Sequence, residues 1–297
     1  TLECALQTQP NLSLISEEVL DRNLSLQDIA QEIASMVKKR SLAGKDYGVV
    51  LVPEGIIEFI PQMRTLIQEL NSLLSIEEVS SALAGFEQIQ DKSSYISQKL
   101  TPQASKDFDF LPSEIQRQLL IDRDPHGNVQ VSRIETEKLL AQLTQKVLDA
   151  ESDYEGKFSF QTHFFGYEGR SGYPTNFDSS YCLALGYAAA SLIAAEKSGY
   201  MASVQNLTKD PVDWKAGGIP LTSLLTLETR HGKQKPVITK ALVELEGNAF
   251  KEFCELRSSW VLEDQYCYPG PIQFQGCDSL TFQRPIAMQL ENNKANC

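Results

Sequence analysis

The sequence predicts an α/β protein in which a mainly helical segment interrupts a core of strands and helices. Helix, strand and helix patterns follow one another within the first 75 residues. Residues 76–157 are polar and helical in pattern, and strand and helix patterns return from residue 158. We therefore expect three parts: an α/β segment at 1–75, a helical insertion or cap at 76–157, and the rest of the core with a C-terminal tail at 158–297.

The first part contains one helix–strand–helix unit. Apolar residues recur at helical spacing between residues 25 and 40, and cations fill the last turn, where they suit the helix dipole. Residues 47–52 form an apolar run rich in β-branched side chains, which is typical of a strand buried on both faces of a parallel sheet. The run ends at Pro53-Glu54-Gly55, and a second helix is expected at about 56–74.

The helical insertion and the return to the core are predicted from the same periodicities. A strong helix is expected at about 134–148, where leucines and a valine form an apolar stripe. A second strand is expected at 157–165, because polar and apolar residues alternate there before the run becomes fully apolar. A glycine-rich segment, 166–172, follows this strand.

The last part begins with a long helix that Thr175 or Asn176 caps and that carries small residues at 184–195. Such residues favour close packing within the chain or between subunits. A third strand is expected at 200–204. After it we expect a loop, an amphipathic stretch and an aromatic tail that packs onto the core. The loop lies at Trp214, Gly217 and Gly218, and the amphipathic stretch lies at 237–257. The aromatic tail lies around Tyr266, Tyr268 and Phe274.

Composition excludes several classes of protein. The 297 residues are 42% hydrophobic, enough to bury a core, so the chain is not disordered. The longest apolar stretches are about half of the ~20 residues that a bilayer span requires, so we expect no membrane partner. A net charge of −12 without a basic run argues against nucleic acid. Six cysteines without a C-x-x-C pair indicate reduced thiols and a cytoplasmic location, and the three dispersed histidines indicate no transition-metal site.

Two segments combine a strand end, glycine and charge, and ligands of open α/β sheets bind at such strand ends. The first is Pro53-Glu54-Gly55, where Glu54 either accepts hydrogen bonds from sugar hydroxyls or caps the following helix. The second is 166–172, where Arg170 offers a planar fork for a phosphate and Tyr167 a hydroxyl and a flat ring. The alternative is a glycine-rich turn with Arg170 in a surface ion pair. Residue types alone thus predict a phosphate or sugar-phosphate site.

Several of these segments carry a resemblance. Among them are Pro53-Glu54-Gly55 and Tyr167-Glu168-Gly169-Arg170. In these segments the chain resembles the long form of the pyrophosphate-dependent phosphofructokinases, which includes the plant catalytic β subunit. The similarity covers nearly the whole chain and is weakest between about 76 and 130. The matching stretches are 1–11, 48–55, 58–61, 163–171, 174–178, 217–218, 221–224, 230–233 and 269–274.

The resemblance implies a three-layer αβα fold and a reversible reaction. A phosphoryl group passes from pyrophosphate to the 1-hydroxyl of fructose 6-phosphate with Mg²⁺, which gives fructose 1,6-bisphosphate and phosphate. Glu54 matches the position that holds the sugar. Tyr167, Glu168, Gly169 and Arg170 match the tetrapeptide that binds fructose 6-phosphate, and Arg170 is the expected contact to that substrate.

The resemblance also implies that much of the machinery lies elsewhere. The Gly-Gly-Asp, Thr-Ile-Asp-Gly-Asp and Met-Gly-Arg segments of the family do not occur here, so we expect no catalytic residue and no Mg²⁺ ligand in this chain. The sequence opens at Thr1 without Met, within a helical pattern, and we expect it to be an inactive C-terminal portion of a homo- or hetero-oligomeric enzyme. A non-catalytic regulatory subunit that binds a sugar bisphosphate, and an ATP-dependent phosphofructokinase, are the alternatives.

Overall fold

The computed structural model of the chain describes residues 1–123, 128–166, 168–170, 172–230, 233–238 and 241–292. The chain divides into two compact units. The first unit comprises Thr1, Gln9–Thr162 and Glu255–Tyr266, and the second comprises Leu2–Thr8, His163–Cys254 and Cys267–Cys297. The expected mixture of helices and strands is confirmed. The helices are α1 (Leu2–Thr8), α2 (Ser16–Asp21), α3 (Leu26–Leu42), α4 (Pro61–Leu74), α5 (Glu77–Ala84), α6 (Ile89–Ser97), α7 (Pro102–Phe110), α8 (Ser113–Ile121), α9 (Thr136–Ala150), α10 (Asn176–Ala194), α11 (Asn248–Trp260), α12 (Asp278–Thr281) and α13 (Ile286–Asn292).

The described strands form three two-stranded sheets. β1 (Leu12–Ser13) pairs in parallel with β2 (Val50–Leu51) in the first unit. In the second unit, β3 (Tyr200–Gln205) and β4 (Lys215–Pro220) form one antiparallel pair, and β5 (Leu225–Arg230) and β6 (Lys233–Ile238) form another. None of the described helices is long and apolar enough to cross a bilayer.

The first unit is built around helices. Ser25 caps α3 through a capping box with Asp28, in which each residue's side chain accepts the other's backbone N–H. α3 packs against α9, and one continuous apolar core runs from Leu14 to Leu148. The helix expected at 134–148 is confirmed as α9, and the segment expected to be helical contains α5 to α9.

The expected strand at 47–52 is correct in pairing but wrong in extent. Only Val50 and Leu51 are in strand conformation, and both are half-buried. Val49 is exposed. A strand requires a partner for its backbone groups, and β1 supplies one that is only two residues long. In place of the single helix expected next, the structure has a short 3-10 turn, Ile56–Phe59, followed by α4. α4 begins at Pro61, since the first residue of a helix needs no N–H to donate within the helix and proline has none.

The second unit joins segments that are distant in sequence. The Glu3 carboxylate of α1 accepts the backbone N–H groups of Ile286 and Ala287 at 2.8 Å each, at the start of α13. Phe177 of α10 contacts Trp214 and Phe282 edge-on, with ring centroids 5.7 and 5.6 Å apart. The rings of Trp214 and Phe282 are themselves 6.3 Å apart, so Phe282 of the tail packs onto this part of the second unit.

Two predictions about strands and loops are wrong. Residues 157–165 contain no strand, and Phe164 and Phe165 leave 61% and 63% of their surface exposed. The apolar run there cannot become a strand without a neighbouring strand to pair with. Gly217 and Gly218 lie in β4 and not in a loop. A Cβ at Gly218 would lie 2.8 Å from a methyl carbon of Leu192, so the small residue lets α10 approach the hairpin closely.

The aromatic tail is also less buried than expected. Tyr268 and Phe274 are exposed, and Tyr266 is partly so. The small-residue helix packs within its own unit against β3 and β4, but Leu183, Tyr187 and Ile193 on α10 remain exposed. The backbone of 231–232, inside the sequence-matched stretch 230–233, lies outside the described residues.

Candidate functional site

Glu54 occupies the turn that follows β2. β2 ends at Leu51, and Pro53, which fixes its own φ and donates no hydrogen bond, prevents the strand from continuing. The Pro53 carbonyl accepts the Ile56 N–H at 3.2 Å. The Glu54 side chain is exposed, and Ile56 immediately after the turn is fully buried. Gly55 and Ile60 are the N-cap residues of the 3-10 turn and of α4, so Glu54 holds the N-cap position of neither helix. Glu54 therefore occupies an exposed position just after the strand, and its role, toward a sugar or toward the following helix, stays a prediction.

A buried arginine holds the segment that leads into β2. Arg40 of α3 is only 1% exposed. Its Nε donates to the Tyr47 carbonyl at 2.7 Å, Nη1 to the Val261 carbonyl at 3.0 Å, and Nη2 to Asp264 Oδ1 at 2.7 Å. Helical spacing places this residue among the cations of the last turn of α3, but it gives no sign of burial. Its three acceptors come from outside the helix, so the sequence carries no local signal for them.

Asp264 is the anionic centre of this polar group. The Tyr47 hydroxyl donates to Asp264 Oδ2 at 2.5 Å, and Lys45 Nζ lies 3.1 Å from the same oxygen. Hydrogen bonds from Tyr47 and Arg40 hold the pKa of Asp264 well below its usual range, and Lys45 adds to the effect. The same hydrogen bond raises the pKa of Tyr47. Both shifts follow from the same pairing of a carboxylate with a protonated phenol, which is therefore retained near neutral pH.

The described residues of the tetrapeptide segment, Gly166 and Glu168–Arg170, lie in turns. Gly166 has φ +50°, a left-handed conformation that favours glycine, and a Cβ there would lie 3.0 Å from a ring carbon of Phe164. Glu168–Arg170 is a 3-10 turn, and the Glu168 N–H donates to the Phe165 carbonyl at 2.9 Å. The described part of the segment is therefore a turn, and the choice between a ligand site and a turn with Arg170 in a surface ion pair stays a prediction.

The chemistry of this turn remains a prediction. Glu168 and Gly169 are exposed. Tyr167 lies outside the described residues, as does the side chain of Arg170. Glu54 belongs to the first unit and the tetrapeptide to the second, so the expected grouping of these residues into one sugar-phosphate site also stays a prediction.

The start of α10 lies just beyond this turn. Of the two candidate caps, Thr175 is confirmed: its Oγ1 accepts the Asp178 N–H at 3.1 Å, and Asp178 Oδ2 accepts the Thr175 N–H at 2.9 Å. The Asp178 carboxylate offsets the partial positive charge of the helix end, so the helix offers less attraction to an anion than the sequence indicates. Asn176 Nδ2 donates to the Phe274 carbonyl at 3.3 Å. Two of the sequence-matched stretches, 174–178 and 269–274, therefore meet within the second unit.

No metal site is visible among the described residues. In those ranges, no three His, Cys, Asp or Glu side chains come together in a group that could hold an ion. The expectation that this chain carries no Mg²⁺ ligand stays a prediction.

Curated proteins similar to this chain are phosphotransferases. No family model matches the chain. A protein of Porphyromonas gingivalis is 50% identical over 99% of the chain and 53% of its own length, and one of Ricinus communis is 48% identical over 98% and 51%. The first is named pyrophosphate–fructose 6-phosphate 1-phosphotransferase, and the second is named as the beta subunit of that protein. An alpha subunit of Arabidopsis thaliana is 38% identical over 93% of the chain.

These similarities confirm the expected resemblance. Nearly the whole chain is homologous to a pyrophosphate–fructose 6-phosphate 1-phosphotransferase, and the chain spans about half the length of the curated relatives it matches.

Proposed function

We propose that this chain is the fructose 6-phosphate-binding, C-terminal portion of an enzyme that reversibly transfers a phosphoryl group from pyrophosphate to the 1-hydroxyl of fructose 6-phosphate. The products are fructose 1,6-bisphosphate and phosphate. One observation carries the proposal: identity of 48–50% along 98–99% of the chain with proteins named for that reaction. The exposed carboxylate of Glu54 and the turn at Glu168–Arg170 agree with a site for a sugar phosphate.

Each matched residue has a proposed role. The guanidinium of Arg170 pairs with the anionic substrate, since its planar fork donates two parallel hydrogen bonds to a phosphate. Glu54 accepts hydrogen bonds from sugar hydroxyls. Tyr167 supplies a ring and a hydroxyl, and Glu168 and Gly169 complete the turn that lets the backbone approach the sugar.

The rest of the enzyme is proposed to lie in the portion of the relatives that this chain does not match. That portion would carry the pyrophosphate site, the catalytic base and the Mg²⁺ ligands, and phosphoryl transfer depends on such charge neutralisation. We also propose the three-layer αβα fold, with core segments at 1–75 and 158–297 and a helical insertion at 76–157. A cytoplasmic location and a homo- or hetero-oligomer complete the proposal.

A regulatory subunit is the main competing function. Against it stands the intact tetrapeptide, which a subunit without catalysis would be free to lose. The chain is also more similar to the Ricinus communis protein named as subunit beta, at 48%, than to the protein named as subunit alpha, at 38%. An ATP-dependent enzyme is the other alternative, and comparing ATP with pyrophosphate as donor decides between them.

The test uses the full-length protein and Arg170→Ala. We expect the KM for fructose 6-phosphate to rise by about tenfold to a hundredfold, because a charge-assisted contact to phosphate is lost. Arg170→Lys keeps the charge without the fork and should lie between wild type and Arg170→Ala. The matched control is Lys251→Ala, which removes an exposed cation that pairs with Glu246 in the same unit. If Arg170→Ala leaves both KM and kcat unchanged, the assignment of Arg170 is wrong. If the wild type shows no pyrophosphate-dependent turnover, the proposed function is wrong.

A further inference from the structure

Asn11 is a buried polar residue at the start of the β1–β2 pair. It leaves only 1% of its surface exposed. Its Nδ2 donates to the Trp260 carbonyl at 2.8 Å, where α11 ends and backbone carbonyls lack partners within the helix. Its Oδ1 accepts the Val49 N–H at 2.9 Å and the Tyr266 hydroxyl. One side chain therefore ties the residue before β2 to the end of α11.

The strand that Asn11 holds has few other hydrogen bonds. In the part of the chain that the structure describes, β2 pairs with β1 alone, through two residue pairs. The Leu12 N–H donates to the Val49 carbonyl at 3.2 Å, and the Leu14 N–H donates to the Leu51 carbonyl at 3.0 Å. The Asn11 amide adds the bond that the Val49 N–H would otherwise lack from β1, because the backbone ladder begins only with Leu12. The position of the start of β2 depends on this side chain.

Glu54 lies a short way downstream of that anchor. From Val49 the chain runs through β2 and Pro53 to Glu54, and then Ile56 and Ile57 are fully buried in the core. The exposed carboxylate is thus held between two fixed points, the Asn11 anchor before the strand and the two isoleucines after the turn. Loss of the first point removes the bond to the Val49 N–H, and the start of the strand is then held by the short β1–β2 ladder and, two residues earlier, by the Arg40–Tyr47 hydrogen bond.

We infer that Asn11 is a positioning residue for Glu54, one that sets the affinity for fructose 6-phosphate without touching it. The inference rests on the proposed function, in which Glu54 accepts hydrogen bonds from the sugar. Displacement of a binding group by about 1 Å can cost up to about a hundredfold in activity even when the mutated residue is remote. Asn11→Ala should act in this way, since it removes the anchor and leaves Glu54 itself intact.

Gly48 provides an independent way to disturb the same anchor. A Cβ at this position would lie 3.1 Å from Asn11 Oδ1 and 3.4 Å from Arg40 Nε, and both neighbours are buried and hydrogen-bonded. Gly48→Ala retains every polar group but places a methyl group in tight contact with Asn11 Oδ1, the oxygen that accepts the Val49 N–H. It should therefore cause a smaller change than Asn11→Ala, in the same direction.

The experiment measures KM for both substrates, and kcat, in the full-length protein. For Asn11→Ala we expect the KM for fructose 6-phosphate to rise about tenfold, with the KM for pyrophosphate within about twofold of wild type. Leu139→Ala is the matched control, because it removes a fully buried side chain of α9 and destabilises the same unit. It should lower the unfolding midpoint without moving either KM. If Asn11→Ala does not fold, Gly48→Ala decides.

The outcomes separate the inference from the proposed function. If Glu54→Gln raises the KM for fructose 6-phosphate but neither Asn11→Ala nor Gly48→Ala does, the positioning role is overturned and the function stands. It is likewise overturned if Leu139→Ala raises that KM as much as Asn11→Ala, since destabilisation alone would then explain the effect. If the wild type has no pyrophosphate-dependent activity, both fall together.

Discussion

Arg40 offers a direct test of how the first unit is held together. Arg40→Met keeps a long apolar side chain but removes all three hydrogen bonds that the guanidinium makes. Two of these go to backbone carbonyls, and each loss costs about 1 kcal/mol. The third is the charged bond to Asp264, and its loss costs about 2 kcal/mol more. The free energy of unfolding should therefore fall by about 4 kcal/mol, within the range expected for breaking a buried ion pair.

Urea unfolding measures this change, and the chain supplies a suitable reporter. The sequence has two tryptophans, and Trp260 is the one in the first unit, fully buried. In a Trp214→Phe background, its fluorescence reports unfolding of that unit. With a slope of about 2 kcal/mol per M, the urea midpoint should fall by about 2 M.

The control for this measurement is Arg64→Met, which removes an arginine from the exposed face of α4. It should leave the midpoint almost unchanged, because surface substitutions away from special features cost little. A midpoint for Arg40→Met that equals that of Arg64→Met would refute the reasoning, since the three bonds would then contribute no net stability.

Two further predictions concern the helix cap of the second unit and an ion pair of the first. Thr175→Ala should destabilise the start of α10 by about 1 kcal/mol and speed hydrogen exchange of the Asp178 amide. Thr175→Ser keeps the hydroxyl and should retain the protection of that amide. Equal exchange rates in wild type and both variants would contradict the role of Thr175 as the helix cap. Burial acts to raise the pKa of Glu18, but the hydrogen bonds and charge of Arg257, with help from Arg22, outweigh it and lower that pKa from 4.5. The ionised Glu18 therefore adds stability above pH 4.5 that is lost as the pH falls through the lowered pKa. In urea titrations at several pH values, the stability gap between wild type and Glu18→Gln should shrink in acid, and a gap independent of pH would contradict the assignment.

Local patterns in the sequence were sufficient for several of the described helices. The spacing of apolar residues predicted α3 and α9, and Thr175 with Asp178 three residues later marks the start of α10. Each of these features is decided by residues within one or two turns of the chain, so no distant contact is needed to predict it. The same holds for the turn at residue 166, which requires glycine because of its positive φ.

The strands show where such patterns fail. The apolar run at 157–165 has the composition of a strand yet forms none, and the run at 47–52 yields only Val50 and Leu51. Conversely, Gly217 and Gly218 have the composition of a loop and lie in β4. A strand exists only where another segment pairs with its backbone, and the identity of that segment is not written in the strand itself.

For the candidate site, the sequence by itself determined the residues that carry charge. Glu54 and Arg170 are predicted from their residue types, their positions and the resemblance of the chain to the phosphofructokinases. Only the tertiary structure decided what supports the segment that ends at Glu54. Asn11 and Arg40 are buried because they bind Trp260 and Asp264, which lie 249 and 224 positions further along the chain. A buried polar group is tolerated only when its hydrogen bonds are satisfied, and folding alone brings such distant partners within 3 Å.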